Sequence, residues 1–133
     1  MSKILIIDDS EHFLEILRIR LLNYGYQNFT IAKSAQEGLI KLQLEKPDLI
    51  VLNTVLFDGD GFEVCRKIKE RLGSSMKIIL MAGLAEKYNA QKAGQAGADD
   101  YIIKTFDSLL LMAAIKKALF KVSSDQKDQV KIL

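Results

Sequence analysis

The stretch that decides the fold is LIVLNTVLFDGDGFEV, running from Leu49 to Val64. Its first four residues are all apolar, and the run then reaches Asn53. A continuous apolar run of this length suits a strand buried on both faces of a parallel sheet. It hands one polar side chain to the strand's carboxyl end. Asp58, Gly59, Asp60 and Gly61 break the pattern, and GFEV opens a helix, with Asp60 and Glu63 spaced as a capping box. Strand, loop, helix is therefore the unit to look for elsewhere.

The unit recurs. Short apolar or β-branched runs cover Lys3–Ile7, Gln27–Ile31, Asp48–Asn53, Lys77–Met81 and Asp99–Ile103. Helical spacing follows each of them. Phe13, Leu17, Leu21 and Tyr24 form the first stripe, and Gly25 offers the left-handed stop. Ser34 and Glu37 make a capping box, and Pro47 closes the helix that it opens. Val64, Cys65, Ile68 and Leu72 make the third stripe, which ends at Gly73. A weakly apolar fourth helix spans Glu86–Ala96, with Ala90, Ala93 and Gly94 inward. The fifth, over Phe106–Phe120, is capped by Asp107 or Ser108 and buries Leu111, Met112, Ile115 and Leu119. Strict βα alternation implies an α/β fold, a parallel sheet with helices on both faces and right-handed crossovers.

Composition narrows the class. The chain has 133 residues, 49% hydrophobic and 27% charged, which is ordinary for one globular domain. A net charge of +2 argues for neither nucleic-acid nor membrane binding. One cysteine, Cys65, excludes an internal disulfide. The start MSKILIIDDS lacks the longer apolar stretch and cleavage site of a signal peptide, and no run approaches a membrane span. The expectation is a cytoplasmic protein. Residues 122–133 are mostly polar and read as a frayed tail or the start of a linker after a domain over 1–121.

In doubly wound sheets, ligands sit at the carboxyl ends of the strands. Those ends carry Asp8 and Asp9, Asn53, Met81-Ala82-Gly83, and Lys104-Thr105. Paired acids there suit Mg2+, and the lysine suits an anion or the acids themselves. Helix capping by Asp9 and Ser10 is the plainer use. His12, the one histidine, reads as part of a solvated helix face, and Cys65 as core.

KILIIDDS, the DG and GFEVCRKIK after the third strand, AGADDYIIK, and Phe106 together resemble the receiver domain of two-component response regulators. The likeness covers about residues 2 to 121. It implies a flavodoxin-like (βα)5 three-layer sandwich with strand order 2-1-3-4-5. It also implies that Asp8, Asp9 and the main-chain carbonyl of Val55 form the Mg2+ site. Asn53 falls where the phospho-accepting aspartate stands, Ala82 where a Ser or Thr stands, and Tyr101 on the switch aromatic. Lys104 matches the phosphate-contacting lysine. Thr105 and Phe57 replace prolines.

A carboxamide cannot repeat the aspartate's attack on phosphorus, because its nitrogen lone pair is delocalised and its oxygen is neutral. Losing one acid also weakens Mg2+ binding, by about 4 kcal/mol per charge pair at ~4 Å and an effective dielectric near 20. No cofactor is required, and any Mg2+ binding is expected to be weak. The expected protein is thus an atypical, non-enzymatic receiver in a phosphorelay that acts by protein contact. Its expected partner surface is the Glu86–Phe120 face, through a partner or a homodimer. Two rivals stand beside it. One is a Mg2+-dependent phosphotransferase or phosphatase using Asp8 or Asp9, although haloacid dehalogenase-like enzymes want a second acid where Ser10 stands. The other is a docking module of a longer regulatory protein. Further expectations are a trans Lys104–Thr105 bond and an inward Tyr101.

Overall fold

The computed structural model describes residues 2–84 and 86–132, with side chains placed through Phe120 except at residue 85. Five parallel strands, β1 (Ile4–Ile7), β2 (Phe29–Ala32), β3 (Leu49–Asn53), β4 (Lys77–Ala82) and β5 (Asp100–Ile103), form one sheet. The sheet order is β2-β1-β3-β4-β5. Between and after them run α1 (Glu11–Asn23), α2 (Ala35–Glu45), α3 (Gly61–Leu72), α4 (Ala90–Gln95) and α5 (Leu109–Ile132). This is the flavodoxin-like α/β sandwich.

Side-chain alternation along the strands builds two cores. Leu5, Ile7, Ile50, Leu52, Ile78 and Leu80 face α2, α3 and α4, where Val64, Cys65, Ile68 and Ala93 meet them. Ile4, Ile6, Leu49, Val51, Ile79 and Met81 face α1 and α5, against Leu14, Leu17, Leu21, Leu111, Met112 and Ile115. All residues of β1 and β3 are buried, as their unbroken apolar runs demand. Each fully buried Leu or Ile contributes about 1.5–3 kcal/mol relative to exposure.

Several boundaries differ from expectation. Strand β2 starts at Phe29, not Gln27, because Phe29 is the residue in register with Ile4. Tyr24 caps α1 and is exposed, and Leu14 takes its place in the stripe. Leu72 is also exposed. The Ser34 hydroxyl accepts the Glu37 N–H at 3.0 Å, while the Glu37 carboxylate takes the Lys33 N–H. At α3, Asp60 accepts from Phe62 N, but Glu63 pairs with Arg66 instead of closing a box.

The fourth helix shrinks to Ala90–Gln95. Asn89 caps it, by accepting the Lys92 N–H at 3.0 Å. Only Ala93 within it is buried; Ala90 and Gly94 are exposed. Helix α5 begins at Leu109, after Ser108 in a left-handed conformation. Its backbone stays helical past Phe120 to Ile132, through most of the expected tail over 122–133; the side chains of that segment and all of residue 133 lie outside the described residues. No described helix is long and apolar enough to cross a membrane.

Candidate functional site

The alternation that builds the cores also builds the pocket. Asp8 continues the side of β1 that Ile4 and Ile6 define, and Asn53 the side of β3 that Leu49 and Val51 define. Lys104 follows Ile102 in the same way. All three therefore emerge on the α1/α5 side of the strand tips. Ala82 and Tyr101 belong to the opposite side, with Leu80 and α4.

Asp8 is fully buried. Its Oδ1 accepts the Ser10 N–H at 2.8 Å, and its Oδ2 lies 2.7 Å from the Lys104 ammonium. The latter is an ion pair and not an aligned hydrogen bond, since Oδ2 has no partner of good hydrogen-bond geometry. Burial pushes the Asp8 carboxyl above its ordinary range, and Lys104 acts against that rise. The ammonium also sits 4.3 Å from the centre of the Phe13 ring on α1, a cation–π contact.

Asp9 does not cap α1. Its Oδ2 accepts the Phe57 N–H at 2.9 Å, and Ser10 makes no side-chain cap bond either. The acid instead holds the loop after β3. Within that loop Val55–Leu56 pairs antiparallel with Gly59–Asp60. Asp58 reaches back to accept the Ala35 and Gln36 N–H groups at the start of α2, which holds its carboxyl below the usual range. Gly61 is obligatory where this loop enters α3. A Cβ there would lie 2.1 Å from the Asn53 carbonyl oxygen.

Asn53 lies in the middle, 6% exposed. Its Nδ2 donates to the Val55 carbonyl at 2.8 Å, and its Oδ1 is buried without a partner. A carboxylate has no proton to give that carbonyl. The amide thus engages the main-chain oxygen that the receiver likeness makes a metal ligand.

Mg2+ takes hard oxygen donors in a near-octahedral set. Asp8, Asp9, the Val55 carbonyl and the orphaned Asn53 Oδ1 supply donors of that kind. The donor types suit the ion, but the set is one negative charge short because an amide stands among the acids, and Asp8 and the Val55 carbonyl are already engaged by Lys104 and Asn53. Asp8 and Asp9 would hold such an ion, which when bound would polarise phosphoryl oxygens.

Ala82 is buried and offers no hydroxyl. The Lys104–Thr105 bond is trans, as no described peptide bond is cis. The Thr105 hydroxyl donates to Asp107 at 2.9 Å, and the same Asp107 oxygen accepts the Leu109 N–H at the start of α5. Tyr101 is half-buried and turned onto the α3/α4 side. Its ring stacks on Tyr88 at 4.6 Å and meets Phe62 edge-on at 5.8 Å. Its hydroxyl accepts the Asn89 N–H.

Two participants escape sequence reasoning. The Thr54 hydroxyl donates to Glu86 at 2.5 Å, and Glu86 N–H donates to the Gly83 carbonyl. Together with the Tyr88–Tyr101 stack, this straps the loop after β4 to the tips of β3 and β5. The only sequence signal for it is a buried-strand exit carrying a hydroxyl, which any capping threonine would mimic.

The response regulator receiver domain family matches residues 4–116 of the chain. The chain belongs to that family. This receiver domain is 35% identical over 118 residues to the alkaline phosphatase synthesis transcriptional regulatory protein PhoP of Bacillus subtilis, a match covering 89% of the chain and 48% of PhoP. It is 33% identical over 132 residues to the response regulator ArlR of Staphylococcus aureus, covering 99% of the chain and 58% of ArlR. The chain thus spans about half the length of the curated relatives it matches. Among solved structures, a CheY-like receiver domain from Methanospirillum hungatei superposes with a TM-score of 0.82 at 32% identity, over 94% of this chain and 98% of that one. The response regulator TrrA of Thermotoga maritima, in complex with Mg2+ and BeF, gives 0.79 at 30% identity, over 89% and 99%. The chain is therefore a receiver module of two-component signalling, and receiver domains are generally signalling modules and not enzymes.

Proposed function

We propose that this receiver domain is atypical and signals by protein contact, without phosphorylation at Asn53. One observation carries the reading. The Asn53 amide is engaged with the Val55 carbonyl, and its remaining oxygen is a neutral, poor nucleophile. The rest of the pocket agrees with it. Lys104 is already paired with Asp8, and Ala82 has no hydroxyl to follow a phosphoryl group. Mg2+ binding at Asp8, Asp9 and Val55 is weak or absent on this reading, and no cofactor is needed.

The contact surface is the face made by α4, β5 and α5. Leu109, Ala113 and Phe120 are exposed along α5, off its buried stripe, and the half-buried Tyr101 stacks on Tyr88 on the α4 side of β5. A partner protein or a second copy docks there, and the population of docked states shifts only by differential affinity. No membrane or direct nucleic-acid contact is assigned to this domain, and a cytoplasmic setting fits its composition. On this reading residues 1–121 are the domain and 122–133 a tail or the start of a linker; the family match ends at residue 116. A docking role inside a longer regulator is compatible with this. Use of Asp8 or Asp9 as an enzymatic nucleophile finds less support, because both carboxylates already have partners.

The test is incubation with acetyl phosphate and Mg2+, read by intact mass and peptide mapping. Wild-type protein is expected to gain no phosphoryl group, whereas Asn53→Asp restores an acceptor and gains one. A wild-type adduct mapped to the end of β3 would overturn the proposal.

A further inference from the structure

Helix α2 carries more apolar surface than its packing uses. Its second half reads Leu39-Ile-Lys-Leu-Gln-Leu44, yet only Leu42 of the four apolar residues there packs against the core, and it is only partly buried. Leu39 is 39% exposed, Ile40 52% and Leu44 76%. The residues buried in α2 are Ala35 and Gly38, a turn earlier. Folding alone leaves the outer leucines unexplained.

Leu39 and Leu42, though not Ile40 or Leu44, line a groove of about 840 Å³ between the C-terminal halves of α2 and α3. Ile68 and Met76 form its floor, nearly inaccessible at 3% and 8%. Leu39, Leu42 and Pro47 wall one side and Leu72 the other. The groove opens at the amino-terminal edge of the sheet, where Met76 precedes β4, opposite the pocket of Asp8 and Asn53.

Its rim is cationic. Lys46, Lys67 and Arg71 line it, and none of them forms an ion pair among the described residues. Glu70, the one acid in the lining, is bound to Arg66. Lys67 and Arg71 are one helical turn apart, with Cβ atoms about 6 Å apart, so both cations project from one face of α3 along the groove.

We propose that this groove docks an acidic amphipathic helix of a protein partner. Its apolar stripe lies between Leu39 and Leu72, and carboxylates one turn apart meet Lys67 and Arg71, with a third at Lys46. A second copy of the chain fits poorly, because its own exposed α2 leucines are flanked by the same cations. A bilayer surface fits poorly too, because the floor is recessed below both helices.

The test titrates the full, 15N-labelled chain with a synthetic peptide of about 18 residues, ~27 Å as a helix, with leucines at helical spacing and glutamates elsewhere. Shifts at Leu39, Leu42, Leu72 and Met76, and a loss of affinity of about tenfold or more in a folded Lys67→Glu, Arg71→Glu variant, are expected. Controls are the same peptide with lysine for glutamate and phosphatidylglycerol vesicles. Four results would each overturn the inference: no shift of these residues at about 1 mM peptide, equal binding of the lysine peptide, vesicle binding through these residues without peptide binding, or peptide-free self-association through them.

Discussion

The ion pair between Lys104 and Asp8 is the feature most open to a quantitative challenge. Lys104→Met keeps most of the aliphatic stem against Phe13 and removes the ammonium. It leaves a fully buried carboxylate with one N–H donor and no counter-charge. Removing one partner of a buried pair costs about 3–5 kcal/mol. The lysine side chain is 15% exposed, so water mitigates part of the loss and the lower end applies, about 3 kcal/mol. For a domain of this size that lowers Tm by about 10 °C. The deficit also depends on pH, with a definite sign. Burial raises the Asp8 carboxyl above its unfolded value of 3.8 even with Lys104 present. A carboxyl raised by folding contributes stability that is full below pH 3.8 and is lost as pH rises through the folded pKa. Without Lys104 the folded pKa climbs further and the window widens. The deficit of the variant is therefore largest near neutrality and shrinks on acidification, by at most about 1.4 kcal/mol per pH unit. Urea melts followed by far-UV circular dichroism at about pH 7.5 and 5 measure it. Adding Asp8→Asn to the variant should restore part of the loss. An equal deficit at both pH values, or a neutral-pH deficit below about 1 kcal/mol, would refute the reasoning.

Gly61→Ala forces a Cβ to within 2.1 Å of the Asn53 carbonyl oxygen and 2.7 Å of Thr54 Cα, both backbone atoms. The loop must move, so a loss of roughly 3 kcal/mol or more is expected in urea melts; a near-neutral result would mean that the approach is not rigid. Thr54→Val removes the hydroxyl that holds Glu86. It should cost about 1 kcal/mol and speed hydrogen exchange at the Glu86 amide, while α3 amides keep their rates. Unchanged exchange at Glu86 would show that the strap does not restrain the loop.

The layers were legible in the sequence because each strand's apolar run had to be buried on both faces. ILII and LIVL can satisfy that only inside a sheet covered by helices. That Asp8, Asn53 and Lys104 share one end of the sheet was legible because their strands lie side by side; that Ala82 emerges on the opposite side follows from the alternation seen in the two cores. Helix α4 was misjudged at its start because Glu86 looks like a first-turn acid, whereas its carboxylate is tied to Thr54. The partners of Asn53 and Asp9 were not legible. Both are main-chain groups of one turn, the Val55 carbonyl and the Phe57 N–H, whose positions depend on backbone angles that residue identity does not specify. The α2 groove escaped notice because apolar residues on a helix ordinarily mean core, and only the packed structure reveals that Leu39, Ile40 and Leu44 are left outside.

Cys65 is the sole sulfhydryl and is fully buried, with its sulfur 3.5 Å from the Ala96 carbonyl and burial pushing the thiol up to about 11. In the closed molecule it is neither reachable nor ionised at neutral pH, so maleimides will ignore it. A cysteine engineered onto the surface can therefore carry a spin label or dye with the native one left in place. Any slow labelling of Cys65 itself would time the parting of α3 from α4.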